Sequence, residues 1–225
     1  MATHFRDGTA IDVVADACDA ITAALESDPA TGDLSKRWEA ITKRADDLEA
    51  ERKRLERAAR RARARLFVQD AVWDGEVGAF GRAALDASGG KRYQAPYTRF
   101  FKDASPSEAQ AFGVSRELKI GGLWLTELAR DPAEPLAVKF TPRLGPATKG
   151  LDKASTDRIA AVRALEPHGT SVMLATDDVN LELDRLEGEL KKRFPGDPKR
   201  VASYLSPTRP HRSEPDKDEG EPVAK

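Results

Sequence analysis

The chain carries a single cysteine, Cys18, among its 225 residues. One thiol cannot close an internal disulfide, so the fold cannot depend on oxidation. Cys18 lies on a helical apolar stripe, where a small buried hydrophobe is expected rather than a reactive thiol. Histidine is almost as scarce, with only His4, His168 and His211. None has a second histidine or cysteine at ligand spacing, so a zinc site is not expected. Aromatic residues make up only 6% of the chain, fewer large apolar groups than a compact globule of this length usually buries. No stretch approaches the roughly 18 uninterrupted apolar residues of a membrane span. The first ten residues lack the basic-then-apolar order of a secretory signal, and a soluble cytoplasmic protein is expected. Net charge is missing too. The 37 basic and 38 acidic side chains leave -1, so the whole-chain field favours neither nucleic acid nor acidic substrates.

Catalytic motifs are equally sparse. Gly145 and Gly150 have the spacing of a phosphate-binding loop, but Leu151 and Asp152 stand where Lys and Ser/Thr are required. No serine, histidine and acid arrangement can be nominated from spacing. The carboxylate pairs Asp46-Asp47 and Asp177-Asp178 sit in charged segments and read as solvated faces. No catalytic residue, cofactor, metal or small-molecule ligand is therefore expected.

What the chain does have is helical period. Leu34, Trp38, Ile41, Ala45, Leu48, Leu55, Ala59, Ala62, Leu66 and Trp73 advance in steps of four and three, interrupted only by Arg52 and Gln69. That period keeps one apolar seam on one side of a long helix, as in coiled coils. Glu39 with Lys43, Glu49 with Lys53, and Glu56 with Arg60 stand at i,i+4 in the favoured order on its surface. Asp33 is placed to cap its start, and Gly89-Gly90 to end it. Gly75, Gly78 and Gly81 mark a kink or close approach of another backbone. Before it, Ile11, Val14, Cys18, Ile21 and Leu25 predict a helix over 9–27.

Residues 91–153 hold Tyr93, Tyr97, Phe100, Phe101, Phe112, Trp124 and Phe140. Ser105-Pro106-Ser107-Glu108 predicts a capping box, and Ser115 a second helix start after Gly113. Gly121-Gly122 reads as close packing. Leu136, Val138 and Phe140 alternate, consistent with one short strand. A last helical region, about 155–194, is divided by Pro167 and Gly169. Its stripes are Ile159, Val162 and Leu165, then Val172, Thr176, Val179, Leu183, Leu186 and Leu190. Asp197-Pro198 predicts a short helix to Leu205. From Ser206 the chain is proline-rich and nearly free of apolar residues, so disorder is expected.

Charge is segregated along these helices. Residues 52–65 hold eight bases and one acid, whereas 177–189 hold six acids and one base. Antiparallel packing that brings Asp177 and Asp178 to Arg65, and Glu182 to Glu189 along Arg60 to Lys53, would match the signs. Left unpaired, the basic face offers Arg57, Arg60, Arg61, Arg63 and Arg65 to phosphates. Lys91-Arg92-Tyr93 and Tyr97 to Lys102 interleave bases with aromatics, a weaker single-strand signal.

The expected fold is all-α: long antiparallel, coiled-coil-like helices in a helical bundle, with a small mixed, mostly helical insert at one end and a disordered C-terminal tail. The expected divisions are 1–90, 91–153, 154–205 and 206–225. The expected function is that of a non-enzymatic structural or adaptor protein, binding a protein partner or itself through its helical seams. The alternatives are nucleic-acid binding through the basic face, and an enzyme whose pocket lies in the insert around Tyr93, Tyr97 and Trp124.

Overall fold

The computed structural model describes residues 2–208, and the fold is all-α. Eight α-helices occur among the described residues: α1 (Ile11–Glu26), α2 (Gly32–Ala87), α3 (Tyr97–Phe101), α4 (Pro106–Ala109), α5 (Val114–Leu128), α6 (Pro135–Arg163), α7 (Leu165–Arg193) and α8 (Pro198–Tyr204). Short 3-10 turns occupy Pro29–Thr31 and Ser206–Thr208. The remainder of the expected tail lies outside the described residues. No helix among the described residues is long and apolar enough to cross a membrane. The chain forms two compact units. One takes residues up to Lys53 and resumes at Pro167; the other is Arg54–Glu166.

The first unit is built on the stripes of α1, α7 and the first part of α2. Ile11, Val14, Cys18, Ile21 and Leu25 are at most 1% exposed. They pack with Trp38, Ala45, Val179, Leu183, Leu186 and Leu190, and with Val201 and Tyr204 of α8. Burial pushes the Cys18 thiol up to about 12, so it is a core hydrophobe. Thr22 and Thr42 satisfy each other at 2.9 Å within this packing. The segment before α1 is fastened to α7: Asn180 accepts from the Phe5 N–H at 2.8 Å and donates to its carbonyl at 3.0 Å.

The antiparallel pairing of α2 with α7 has a different register from the expected one. Glu182 bonds Arg37 and Asp178 bonds Arg44, each at 2.6 Å, and Arg193 donates to the Asp33 carboxylate at 2.8 Å. The acidic segment of α7 thus meets the start of α2, not Arg60 or Arg65. Apolar burial decides the register: it sets Trp38 and Ala45 among the leucines of α7, and exposed ion pairs are too weak to move such a core. Asp33 stands in the first turn of α2, which begins at Gly32.

The second unit surrounds Phe80. Its ring lies 4.8 Å from Phe100, 5.3 Å from Phe101, 5.1 Å from Phe140 and 6.0 Å from Trp124. Trp73 stacks on Trp124 at 6.1 Å. Gly81 is required here, because a Cβ at that position would stand 2.2 Å from the Pro106 ring. Gly121 is similarly crowded by Trp73 and Thr148, whereas Gly122 is open. The capping box forms: the Ser105 hydroxyl accepts from the Glu108 N–H, and Glu108 accepts from the Ser105 N–H at 2.7 Å.

Leu136, Val138 and Phe140 lie in α6, not in a strand. The longer stripe Leu136, Phe140, Leu144, Ala147, Leu151 and Ala154 is buried at helical spacing, and Val138 is 63% exposed. Pro142 and Pro146 lie inside α6, four apart on its exposed side, so the helix loses two N–H bonds facing solvent while the core side is intact. The break expected at Pro167 falls at Ala164 instead. Pro167 stands in the first turn of α7, where no N–H bond is forfeited. Ile159 and Val162 are each 47% exposed, so the first stripe of that region is not core. Nor does Ser115 cap α5: its N-cap is Gly113, without a side-chain bond.

Candidate interaction face

Within the second unit, α2 is apolar on two opposite sides. The inner side is the expected seam: Ala62, Leu66 and Trp73 are buried at 6%, 8% and 0% exposure, with Val77 and Phe80 continuing it. Gln69, the interruption, packs against Gly150 of α6. The outer side carries a second stripe. Ala64, Phe67, Val68, Ala71, Val72 and Gly75 recur at i, i+3, i+4, i+7, i+8 and i+11, which is one face of a helix. All six are exposed. Phe67 is 59% exposed, Val68 60% and Val72 47%. Scattered single hydrophobes on a surface need no explanation, but a continuous helical line of them does.

One turn earlier, the same outer side is basic. At 100° per residue, Arg57, Arg60 and Arg61 fall in line with the apolar stripe, and Arg63 and Arg65 at its two edges. All five guanidiniums are exposed. Arg60 reaches Glu56 at 3.8 Å, and Arg63 lies over the Phe67 ring at 5.4 Å from its centroid. Among the described residues, Arg57, Arg61, Arg63 and Arg65 make no ion pair. The five residues nominated from sequence are therefore brought together. Phe67, Val68 and Val72 were not nominated. Their signal was present: between Ala62 and Trp73 the apolar residues satisfy two helical stripes at once, and the 4-3 seam accounts for only one.

The insert aromatics do not converge on one pocket. Tyr97 is 5% exposed and Trp124 3%, both in the core, while Tyr93 stands 75% exposed. The Trp124 indole donates to the Phe100 carbonyl at 2.7 Å. A groove of about 620 Å³ beside it is lined by Phe100, Phe112, Arg116, Lys119 and Leu123, with neither Tyr93 nor Tyr97. Arg116 is occupied there by the Phe112 ring, 3.5 Å away, and Arg99 by Glu134 at 2.6 Å.

Sequence reading also missed a buried acidic cluster on the inner side of α2. Glu117 of α5 is 2% exposed. Burial, then the adjoining Asp70 and then Asp74, pushes its carboxyl up to about 8. Burial raises Asp74 as well. A carboxylic acid that is neutral at pH 7 can donate a proton. Among the described residues, no group of three His, Cys, Asp or Glu side chains can hold a metal ion.

Comparison with protein-family models, curated proteins and solved structures finds no match.

Proposed function

We propose that this chain is a non-enzymatic adaptor of the cytoplasm that binds another protein by helix-on-helix packing, in the manner of a coiled coil. The docking face is the outer side of α2 from Arg57 to Gly75. The observation that carries this reading is the unbroken exposed line Phe67, Val68 and Val72, with the small residues Ala64, Ala71 and Gly75 on the same stripe. Small residues let a second helix approach closely, and an aromatic at the centre supplies the anchor such interfaces favour.

The test is photo-crosslinking with a photoreactive amino acid at Val68 of the full chain in expressing cells. Protein adducts are expected, and Phe67→Glu with Val72→Glu should remove them. Adducts to nucleic acid alone, or protein adducts indifferent to those substitutions, would overturn the proposal. Nucleic-acid binding is the second reading, favoured by the unpaired guanidiniums. It leaves the aliphatic half of the face without a role, since nucleic-acid interfaces are polar and charged.

A further inference from the structure

We infer that the occupant of this face is an acidic amphipathic helix of a partner protein, with carboxylates over Arg57, Arg61 and Arg65 and an apolar stripe over Phe67, Val68 and Val72. This rests on the protein-binding reading above and adds the chemistry of the partner. The face is divided along its length. Its first half is guanidinium, in which Arg57, Arg61 and Arg65 have no internal carboxylate partner among the described residues, and its second half is aliphatic and aromatic. Arg57, Arg61 and Arg65 follow one another at i,i+4, a ridge that a neighbouring helix with acidic residues at the same spacing can follow. Guanidinium suits this task because it pairs with carboxylates through two parallel N–H bonds and keeps its charge at any physiological pH.

A second copy of this chain fits less well. Parallel pairing would set each guanidinium against its own counterpart. Antiparallel pairing about the midpoint of Phe67 and Val72 would set Arg57 against the exposed Arg82, and the acids it brings opposite Arg63 and Arg65 are Glu76, already bonded to Arg143 at 2.7 Å, and the half-buried Asp74. Like charges across an interface oppose association and exclude wrong partners. A phosphate backbone would satisfy Arg57, Arg61 and Arg65 but would leave Val68 and Val72 against a polar ligand. An acidic amphipathic helix answers both halves.

The probes are fluorescein-labelled helical peptides of about 20 residues, long enough to hold helix when docked. One carries a leucine stripe flanked by glutamates; its twin has lysines in place of the glutamates. A mixed-sequence DNA duplex is the third probe, and anisotropy is read with the full chain at low and high salt. The glutamate peptide should bind at least about tenfold more tightly than its twin at low salt, as several exposed ion pairs acting together allow. The preference should shrink with salt and vanish in the triple variant Arg57→Glu, Arg61→Glu, Arg65→Glu. Phe67→Ser with Val72→Ser should weaken both peptides. All these positions are exposed, so unchanged circular dichroism and thermal midpoint are required of each variant. Equal binding of the two peptides, still sensitive to Phe67→Ser, would overturn the acidic partner and leave helix docking standing. Tight duplex binding indifferent to Phe67→Ser would overturn both. So would failure of both peptides in a chain that sediments as a dimer broken by Val68→Asp, because the occupant would then be a second copy. Absence of binding to any probe by a monomeric chain would also overturn the inference.

Discussion

Glu117 shows how one side chain can set the pH response of a unit. It is neutral in the folded chain up to about 8, while in the unfolded chain it ionises near its ordinary 4.5. Between those values the unfolded state has released a proton that the folded state keeps, so the second unit loses stability as pH rises from about 4.5 to about 8. Glu117→Gln cannot ionise and keeps the buried polar shape. Its thermal midpoint should lie a few degrees above that of the parent at pH 8, and the two should meet near pH 4. Equal slopes for both chains between pH 5 and 8 would contradict this assignment. Cys18 gives a second check at the same scale. With its thiol fully buried and pushed up to about 12, it should resist alkylation at pH 8 in buffer and react promptly in denaturant. The two properties are not equally legible in the sequence. The Cys18 stripe lies within one helix and is visible in the order of residues. The Glu117 environment arises from Asp70 and Asp74, more than forty positions away, and no local pattern announces it.

At the scale of elements, what the order of residues revealed was whatever depends on neighbours three and four apart. The stripes of α1 and α7, the capping box at Ser105 and the Asp197 cap on α8 are all of this kind. Errors came where a short pattern competed with a longer one. Three alternating residues suggested a strand at 136–140, yet the six-residue stripe from Leu136 to Ala154 places this segment in α6. Two substitutions separate the alternatives. Val138→Lys should leave stability within about 0.5 kcal/mol, whereas Phe140→Ala should cost about 3–5 kcal/mol. A strand would put both side chains on one face and make both substitutions costly. Charge matching misled in another way. The basic segment of α2 and the acidic segment of α7 are complementary in sign, but the leucine packing of α7 on Trp38 and Ala45 sets the register. The acids then fall to Arg37 and Arg44. That mismatch is what leaves Arg57, Arg61, Arg63 and Arg65 without carboxylates. Gly81 is a further check on packing: with Pro106 at 2.2 Å from an added Cβ, Gly81→Ala should destabilise by about 1–3 kcal/mol, read by chemical denaturation.

For the whole molecule, acid response and interaction are the two properties that follow. Hydrogen bonds from Tyr204 and Arg200 hold the Asp28 carboxyl at about 2, and Arg193 does the same for Asp33. Such groups stabilise the folded chain above their ordinary value near 4 and cease to do so as pH falls towards 2. Asp28 and Asp33 should therefore make the first unit lose stability as pH falls below about 4, whereas Glu117 makes the second lose it as pH rises above about 4.5, both measurable by calorimetry across pH 2–9. Interaction depends on the outer side of α2, whose apolar stripe is present in the sequence but is told apart from core only once the opposite side is known to be buried. Carbene footprinting of the full chain addresses it directly, comparing the purified monomer with the assembly recovered intact from expressing cells. Phe67, Val68 and Val72 should label heavily in the monomer while Leu66 and Trp73 stay protected. In the assembly the first three should become protected as Ile159 and Val162 remain unchanged. Heavy, equal labelling of Phe67, Val68 and Val72 in both preparations would mean that no partner covers this face.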